Sequence, residues 1–414
     1  MKKLTGMIAG AAMMASAAFS TAWAADTIKI AFIDPLSGPF ATTGTNGLAE
    51  WKYAVENLVN AQGGVLGGQK LEVVAFDNKI SPKESLIQLK VAIDQGIRFV
   101  AQGNSSGVAN ALTDAIKKHN KRNPDKLVLF LNYSAVDPAL TNAKCNFWHF
   151  RFDANADIKM DALTDVIAKD GKIKKVYIIG QDYSFGKAVA AAAVSNITEK
   201  MPGAEIVGNE LHPIGKVKDF TPYARKIMGA GADAVITGNW GSDMVGLGKA
   251  IIQAGYKGPI FTYYGASNGI TKTFGADGKN VIRQVAEGPL NPPASERMSN
   301  YVKGFEAKNP DFDITQARIT NAAEMLAKAI DKAGSPDAVK VALALEGMEH
   351  DSIWGGKVTM RASDHQAIQN VHILKHTDEG VTHPLDNSKY GFVVENSVEN
   401  AGMESATTCQ MKRP

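Results

Sequence analysis

Short, mainly apolar segments alternate with longer amphipathic ones along this chain, and the alternation runs twice. In the first series, residues 28–33 (IKIAFI), 70–76 (KLEVVAF), 97–101 and 127–131 have the β-branched and aromatic content of strands. Between them, residues 46–61 carry Leu48, Trp51, Val55 and Leu58 at helical spacing. Residues 82–95 follow Ser81 as N-cap, with Pro82 at the first helical position, and 108–119 read as a third helix. A second series begins at 176–180 (VYIIG) and continues through 204–208, 234–237 and 259–264, with helices expected from Phe185, about Thr221 and Asp243.

Strands without a polar face cannot border water, so they call for helices on both sides of a parallel sheet. Two such series in succession predict two doubly wound α/β lobes, with a boundary between His149 and Phe152. Later segments read as helical at 295–308 and 315–333, followed by short strands near 357–360 and 371–374. Those late strands have no series of their own and must complete lobes already built. The chain is therefore expected to cross between lobes more than once.

Lys2 and Lys3 precede an apolar stretch from Leu4 to about Ala22, and Ala22-Trp23-Ala24 forms an A-x-A cleavage site. This is the layout of a secretory signal peptide over residues 1–24. No cysteine follows the apolar run, so no lipid anchor is expected at the new N-terminus. Cleavage removes two of 45 basic residues and none of the acidic ones, leaving 43 against 42. So balanced a chain has no electrostatic footprint for nucleic acid or an acidic membrane surface. No later run reaches the ~18 apolar residues of a membrane span, and the expected location is the periplasm. In that oxidising space the even count of cysteines, Cys145 and Cys409, points to a disulfide; two separate buried thiols are the other reading.

Ligands of a doubly wound sheet bind at the carboxyl ends of its strands, where loops meet helix N-termini. In the first series those loops are rich in hydroxyl and backbone N–H groups: Ser37-Gly38-Pro39 with Thr42 and Thr43, Gly103-Asn104-Ser105-Ser106-Gly107, and Asn132-Tyr133-Ser134-Ala135-Val136-Asp137. In the second series they carry rings: Tyr183 and Phe185, Trp240, Tyr263 and Tyr264. Neutral donors on one wall and aromatic surfaces on the other suit a small organic anion with an apolar or flat body.

Sharper chemistries fit less well. A phosphate loop needs G-x-x-x-x-G-K-[ST] or G-x-G-x-x-G, but Gly186-Lys187 is followed by Ala188, and Gly63-Gly64-Val65-Leu66-Gly67-Gly68 has the wrong spacing. The run from Gly103 to Gly107 does match G-x-S-x-G between a strand and a helix. An α/β serine hydrolase using Ser105, with His365, His372, His376 or His383 as base, is therefore the leading alternative, although no HGGG-type oxyanion element precedes it. His372 and His376 sit four apart in a strand-like stretch without a companion acid, so neither a metal nor a cofactor is expected. Asp153 and Asp157 enter a helix and read as capping and helix-dipole residues, with a ligand contact as a second role for Asp157. Trp51 and Trp354 read as core.

With these loops in view, the chain resembles the periplasmic leucine/isoleucine/valine-binding family, the soluble receptors of branched-chain amino acid ABC importers. IKIAFIDPLSGPFATTG is similar to the family's opening strand and Ser-Gly-Pro loop, and AQGGVLGGQKLEVVAFDNKISPKES to its Gly-Gly turn, strand, acid and proline. DPALT from Asp137, the pair Phe150-Arg151 and QDYSFG match in order and spacing, and the similarity runs from about Ile28 to beyond Thr359. The resemblance implies a type I periplasmic binding protein fold: two doubly wound parallel-sheet lobes joined by a three-segment hinge that closes on a ligand. It divides the chain into a signal peptide (1–24), a first lobe (25–150 plus 288–354), a second lobe (151–287 plus 355–382) and a C-terminal tail (383–414). It also implies a monomer without catalysis, a small-molecule ligand and an inner-membrane ABC permease as partner. A ligand-sensing receptor of a signalling complex would have the same build.

Carried over by position, the binding residues are Thr43, Ser105, Ser106, Ser134, Ala135, Val136, Phe185, Trp240 and Tyr264. The threonine with which the family helps hold a ligand carboxylate is absent, with Ser134 as its replacement. The family's usual acids for a ligand ammonium fall on Ala156 and Tyr264. An ammonium buried without a carboxylate partner is strongly disfavoured. The expected ligand is thus a carboxylate or amide lacking an α-amino group, an aromatic one included, unless Asp157 or Asp182 supplies the charge. A disulfide found near the serine loop in some members is absent as well, Ile80 and Ser105 occupying those places.

Overall fold

The structure is a computed structural model that describes residues 27–414; the expected leader at 1–24 lies outside the described residues. The first sheet holds β1 (Ile28–Asp34), β2 (Leu71–Asp77), β3 (Phe99–Gln102), β4 (Leu129–Asn132) and β5 (His149–Arg151) in the order β2-β1-β3-β4-β5, all neighbours parallel. The second is built on β6 (Lys175–Gln181), β7 (Glu205–His212), β8 (Ala234–Thr237), β9 (Ile260–Thr262) and β10 (Ile282–Ala286). Their parallel order is β7-β6-β8-β9-β10. Four late strands extend it: β11 (Glu349–Asp351), β12 (Lys357–Met360), β13 (Ala367–Thr377) and β14 (Gly391–Ala401), with β13 antiparallel to both β10 and β14.

The apolar runs became strands because both faces of each sheet are covered. On the first sheet, Trp51, Ile319, Leu326 and Leu345 from the helices Ala41–Ala54, Arg318–Ala333 and Ala338–Leu345 pack one face, while Leu89, Leu112 and Ile116 pack the other. The second sheet is covered on one side by the helices Ala156–Asp170 and Ser184–Lys200, and on the other by Thr221–Gly229, Gly241–Gln253 and Glu296–Lys308. Local signals hold as well: the Ser81 hydroxyl accepts from Glu84 N at 3.3 Å and Pro82 opens its helix. Trp51 and Trp354 are both buried. No helix among the described residues is long and apolar enough to cross a membrane.

The C-terminal region differs from the expected pattern. The strand anticipated at 371–374 is eleven residues long, and β14, not anticipated, lies within residues expected to be a tail. Its sequence, GFVVENSVENA, is half exposed at the sheet edge, so polar residues interrupt the apolar pattern that marks buried strands. Beyond β14 the chain returns to the first lobe. The Thr407 hydroxyl donates to Thr141 O at 3.0 Å, and Cys409 is disulfide-bonded to Cys145. Arg413 then pairs with Glu346 at 2.9 Å.

Candidate functional site

In the first sheet the connections diverge between β1 and β3, and in the second between β6 and β8. Loops leaving such neighbouring strands in opposite directions open a crevice at the strand ends. The two crevices face one another across a cavity of about 500 Å³, counting its mouth. Its lining brings together Thr43, Ser105, Ser106, Ser134, Ala135, Val136, Phe185, Trp240 and Tyr264. Asp157 and Asp182 are outside that lining: Asp157 is exposed in the first turn of its helix, and Asp182 pairs with Lys187 at 3.2 Å.

The first wall hangs on two buried carboxyls. Asp34, at the end of β1, accepts from Gly103 N (3.1 Å), Asn104 N (2.9 Å) and the Tyr133 hydroxyl (2.5 Å), tying the loop after β3 to the loop after β4. Burial pushes its pKa up to about 7 against the pull of those bonds. Glu50 accepts from the backbone N–H groups of Thr315 and Gln316, both at 3.1 Å, and from Asn46 at 2.7 Å. Its pKa too is pushed up to about 7 by burial. This grip sets Thr315, Gln316 and Arg318 against the cavity.

The serine loop is rich in donors. Ser105 holds φ at +79°, a conformation side chains with a Cβ rarely adopt, at the start of the helix Ser106–Arg122. The first N–H groups of that helix have no intrahelical acceptor. Ser106 Oγ accepts from Asp137 N at 3.2 Å, and Ser134 Oγ accepts from Arg318 Nη2 at 2.6 Å. A hydroxyl that accepts from the protein still has its own proton to donate, so both serines present O–H donors.

The second wall is made of rings. Trp240 Nε1 donates to the Tyr183 hydroxyl at 2.8 Å, and Phe185 lies 5.8 Å from Tyr264 between ring centroids. Asp243 fixes the strand-end loops by accepting from Gln181 Nε2 and Gly215 N, each at 2.8 Å. Phe40 crosses from the first lobe, its ring 4.3 Å from that of Trp240. Gly215 and Gly241 have φ of +66° and +58°, and a Cβ on either would come within 2.9 or 2.6 Å of the Phe40 ring.

Beneath Tyr264 lies a buried ring of charges. Lys159 Nζ contacts Asp153 Oδ1 at 2.6 Å and Glu287 Oε1 at 2.8 Å. Arg318 contacts the same two carboxyls at 3.1 and 3.6 Å and donates to Tyr133 O at 2.8 Å. Asp153 is therefore not the helix cap expected of it; Asn155 takes that role by accepting from Ile158 N. Burial drives the Asp153 carboxyl above its ordinary range against the pull of Arg318, with Glu287 adding to the rise. For Glu287 burial acts in the same sense, but Lys159, the bond to Asp153 and Arg318 outweigh it and hold that carboxyl low.

Nothing at Ser105 resembles a triad. Its candidate bases are bonded elsewhere: His365 to Glu346, His372 to Ser397, His376 to Gly275 O and His383 to Ser299. Sequence reasoning missed Arg318, Gln284, Gln316 and Tyr183 as lining residues. Tyr183 stood in a loop already singled out. Gln316 precedes, and Arg318 opens, a helix far along the chain, where the sequence signal is the run Thr315-Gln316-Ala317-Arg318 before an apolar stretch.

Residues 27–380 match the family described as "Periplasmic binding protein". Leu/Ile/Val-binding protein homolog 4 of Brucella abortus (strain 2308) is 31% identical over 420 residues, covering 99% of this chain and 98% of that protein. The leucine-, isoleucine-, valine-, threonine-, and alanine-binding protein of Brucella ovis, solved in its closed conformation, is 30% identical with a TM-score of 0.84, covering 94% of this chain and all of that one. A solute-binding protein of an ABC transporter of R. palustris, solved with benzoate, shares the fold at 18% identity and a TM-score of 0.77, covering 93% of this chain and 100% of that one. A cleft between two doubly wound lobes, walled by donors and rings, agrees with these likenesses, and the chain belongs to the periplasmic binding protein family as a non-enzymatic substrate-binding protein of ABC-transporter type.

Proposed function

We propose that this chain captures a small carboxylate lacking an α-amino group, aromatic acids included, in the periplasm and delivers it to the inner-membrane permease of an ABC importer. The observation that carries the reading is the composition of the lining. It offers Ser105, Ser106, Ser134, Asn104, the Gln284 and Gln316 amides and Arg318, and among the described lining residues it holds no aspartate or glutamate. Hydroxyl, amide and backbone N–H donors would take the carboxylate, Phe185, Trp240 and Tyr264 would enclose the body, and no anion would receive an ammonium. The benzoate-bound structure of the same fold is in keeping with a flat acid in such a cleft. Affinity would come from stabilising the closed arrangement over the open one.

The names of the more similar relatives favour a second reading, a branched-chain α-amino acid. Thermal melting of residues 25–414 with leucine, its 2-oxo acid and benzoate separates the two. A true ligand at roughly 100 times its Kd adds about 2.7 kcal/mol, or about 3 °C for a chain of this size. A shift by an acid and none by leucine supports the first reading. A shift by leucine alone supports the second.

A further inference from the structure

The buried charge ring under Tyr264 has a consequence for selectivity that goes past the lining itself. Asp153 and Glu287 are the two carboxyls beneath Tyr264, their side chains no more than 2% exposed, and each already meets two cations. Lys159 Nζ is 5.1 Å from the centroid of Tyr264 and Arg318 is 5.8 Å from it, while Tyr264 and Arg318 both line the cavity. Two cations thus stand against two carboxyls, one of which resists ionising, so the ring carries no surplus of negative charge.

We propose that Lys159 is a specificity-determining residue of this cleft, a resident ammonium that takes up the carboxyls a ligand's own ammonium would need. This rests on the reading above in supposing that the cavity is the ligand site. Lysine suits the role because its compact point charge meets both carboxyls from a single atom. Lys159 is fully buried near the start of the helix Ala156–Asp170. Were Lys159 removed, the ring would gain one net negative charge within a few ångströms of the cavity wall, in a setting where such a charge is weakly screened.

The test is calorimetric titration of wild type, Lys159→Met and Lys159→Met/Glu287→Gln with leucine and with its 2-oxo acid. The single variant is expected to bind leucine at least tenfold more tightly than wild type does, while the oxo acid weakens. The double variant, with charge balance restored, is expected to lose that gain. A folded single variant whose leucine affinity stays within threefold of wild type overturns the proposal, as does an equal gain in the double variant. Should the single variant fail to fold, Glu287→Gln alone decides: with both cations kept, leucine must weaken relative to the oxo acid, and an unchanged ratio overturns the role of Lys159. Tight binding of leucine by wild type would defeat the proposed ligand class, whereas the change between variants still tests Lys159.

Discussion

The two walls of the cleft are built by opposite means. On the first lobe, small hydroxyls and backbone N–H groups are held in place by the buried carboxyls Asp34 and Glu50, each gathering several donors. On the second, Phe185, Trp240 and Tyr264 stand at or just past strand ends, placed by ring contacts, the Trp240–Tyr183 hydrogen bond and a bond from the Tyr264 hydroxyl to Ser134 O. The first wall fixes direction, since hydrogen bonds fail within a few tenths of an ångström or a few tens of degrees. The second supplies area, which tolerates small shifts. A ligand would therefore be oriented on the first lobe and enclosed by the second.

The largest break in this comparison is expected from Asp34→Ala. It leaves Gly103 N, Asn104 N and the Tyr133 hydroxyl without their acceptor, at a cost of about 3 kcal/mol in stability, and it frees the serine loop so that binding is lost as well. Urea melts and titration calorimetry should show both losses; retained affinity would mean that the loop holds its shape without Asp34. Trp240→Ala should act on affinity more than on direction. Under the proposed function it weakens every ligand by roughly 30-fold while the ranking of ligands stays the same, and a reordered ranking would show that the ring selects as well as encloses.

The smallest effect expected is on pH dependence, and it belongs to the first wall. Burial has raised Glu50 from 4.5, and Asp34 from 3.8, to about 7. The folded state therefore holds these protons more tightly than the unfolded chain. Their contribution is complete below the ordinary carboxyl values and is lost as pH rises through about 7. Buried His149, His365 and His376, whose values are depressed by burial, act in the opposite sense on the acid side. Comparing wild type with Glu50→Gln isolates the carboxyl. The melting temperature of wild type relative to the variant should fall by about 3 °C between about pH 4.5 and pH 7 and level off above, and a difference that grows instead would reverse the assignment.

The same contrast explains what could be read from the chain beforehand. Strands buried on both faces announce themselves as apolar runs, so β1 to β4 and β6 to β9 and the loops at their ends were legible, as were the hydroxyl and ring residues those loops carry, whereas β5, three residues long, and β10, interrupted by Arg283 and Gln284, were not anticipated. β14 was hidden because an exposed edge strand has a polar face. Arg318, Lys159 and Glu287 were hidden for a different reason. A charged residue in a helix, or just beyond a strand, reads as solvated surface, and its burial depends on opposite charges brought from 153, 159, 287 and 318 by the tertiary fold. Asp153 was read as a cap from its position alone, and its true partners lie elsewhere in the sequence.

The disulfide from Cys409 to Cys145 turns the end of the chain into a leash. Ala401 closes β14 at the edge of the second sheet, and Cys409 is fastened to the first lobe. At about 3.4 Å per extended residue, the intervening segment spans about 27 Å at most, and Arg361, holding Gly402 O and Ser405 O at 3.0 Å each, takes up part of that slack. Were the two lobes to move apart, their travel at this side would have a fixed stop.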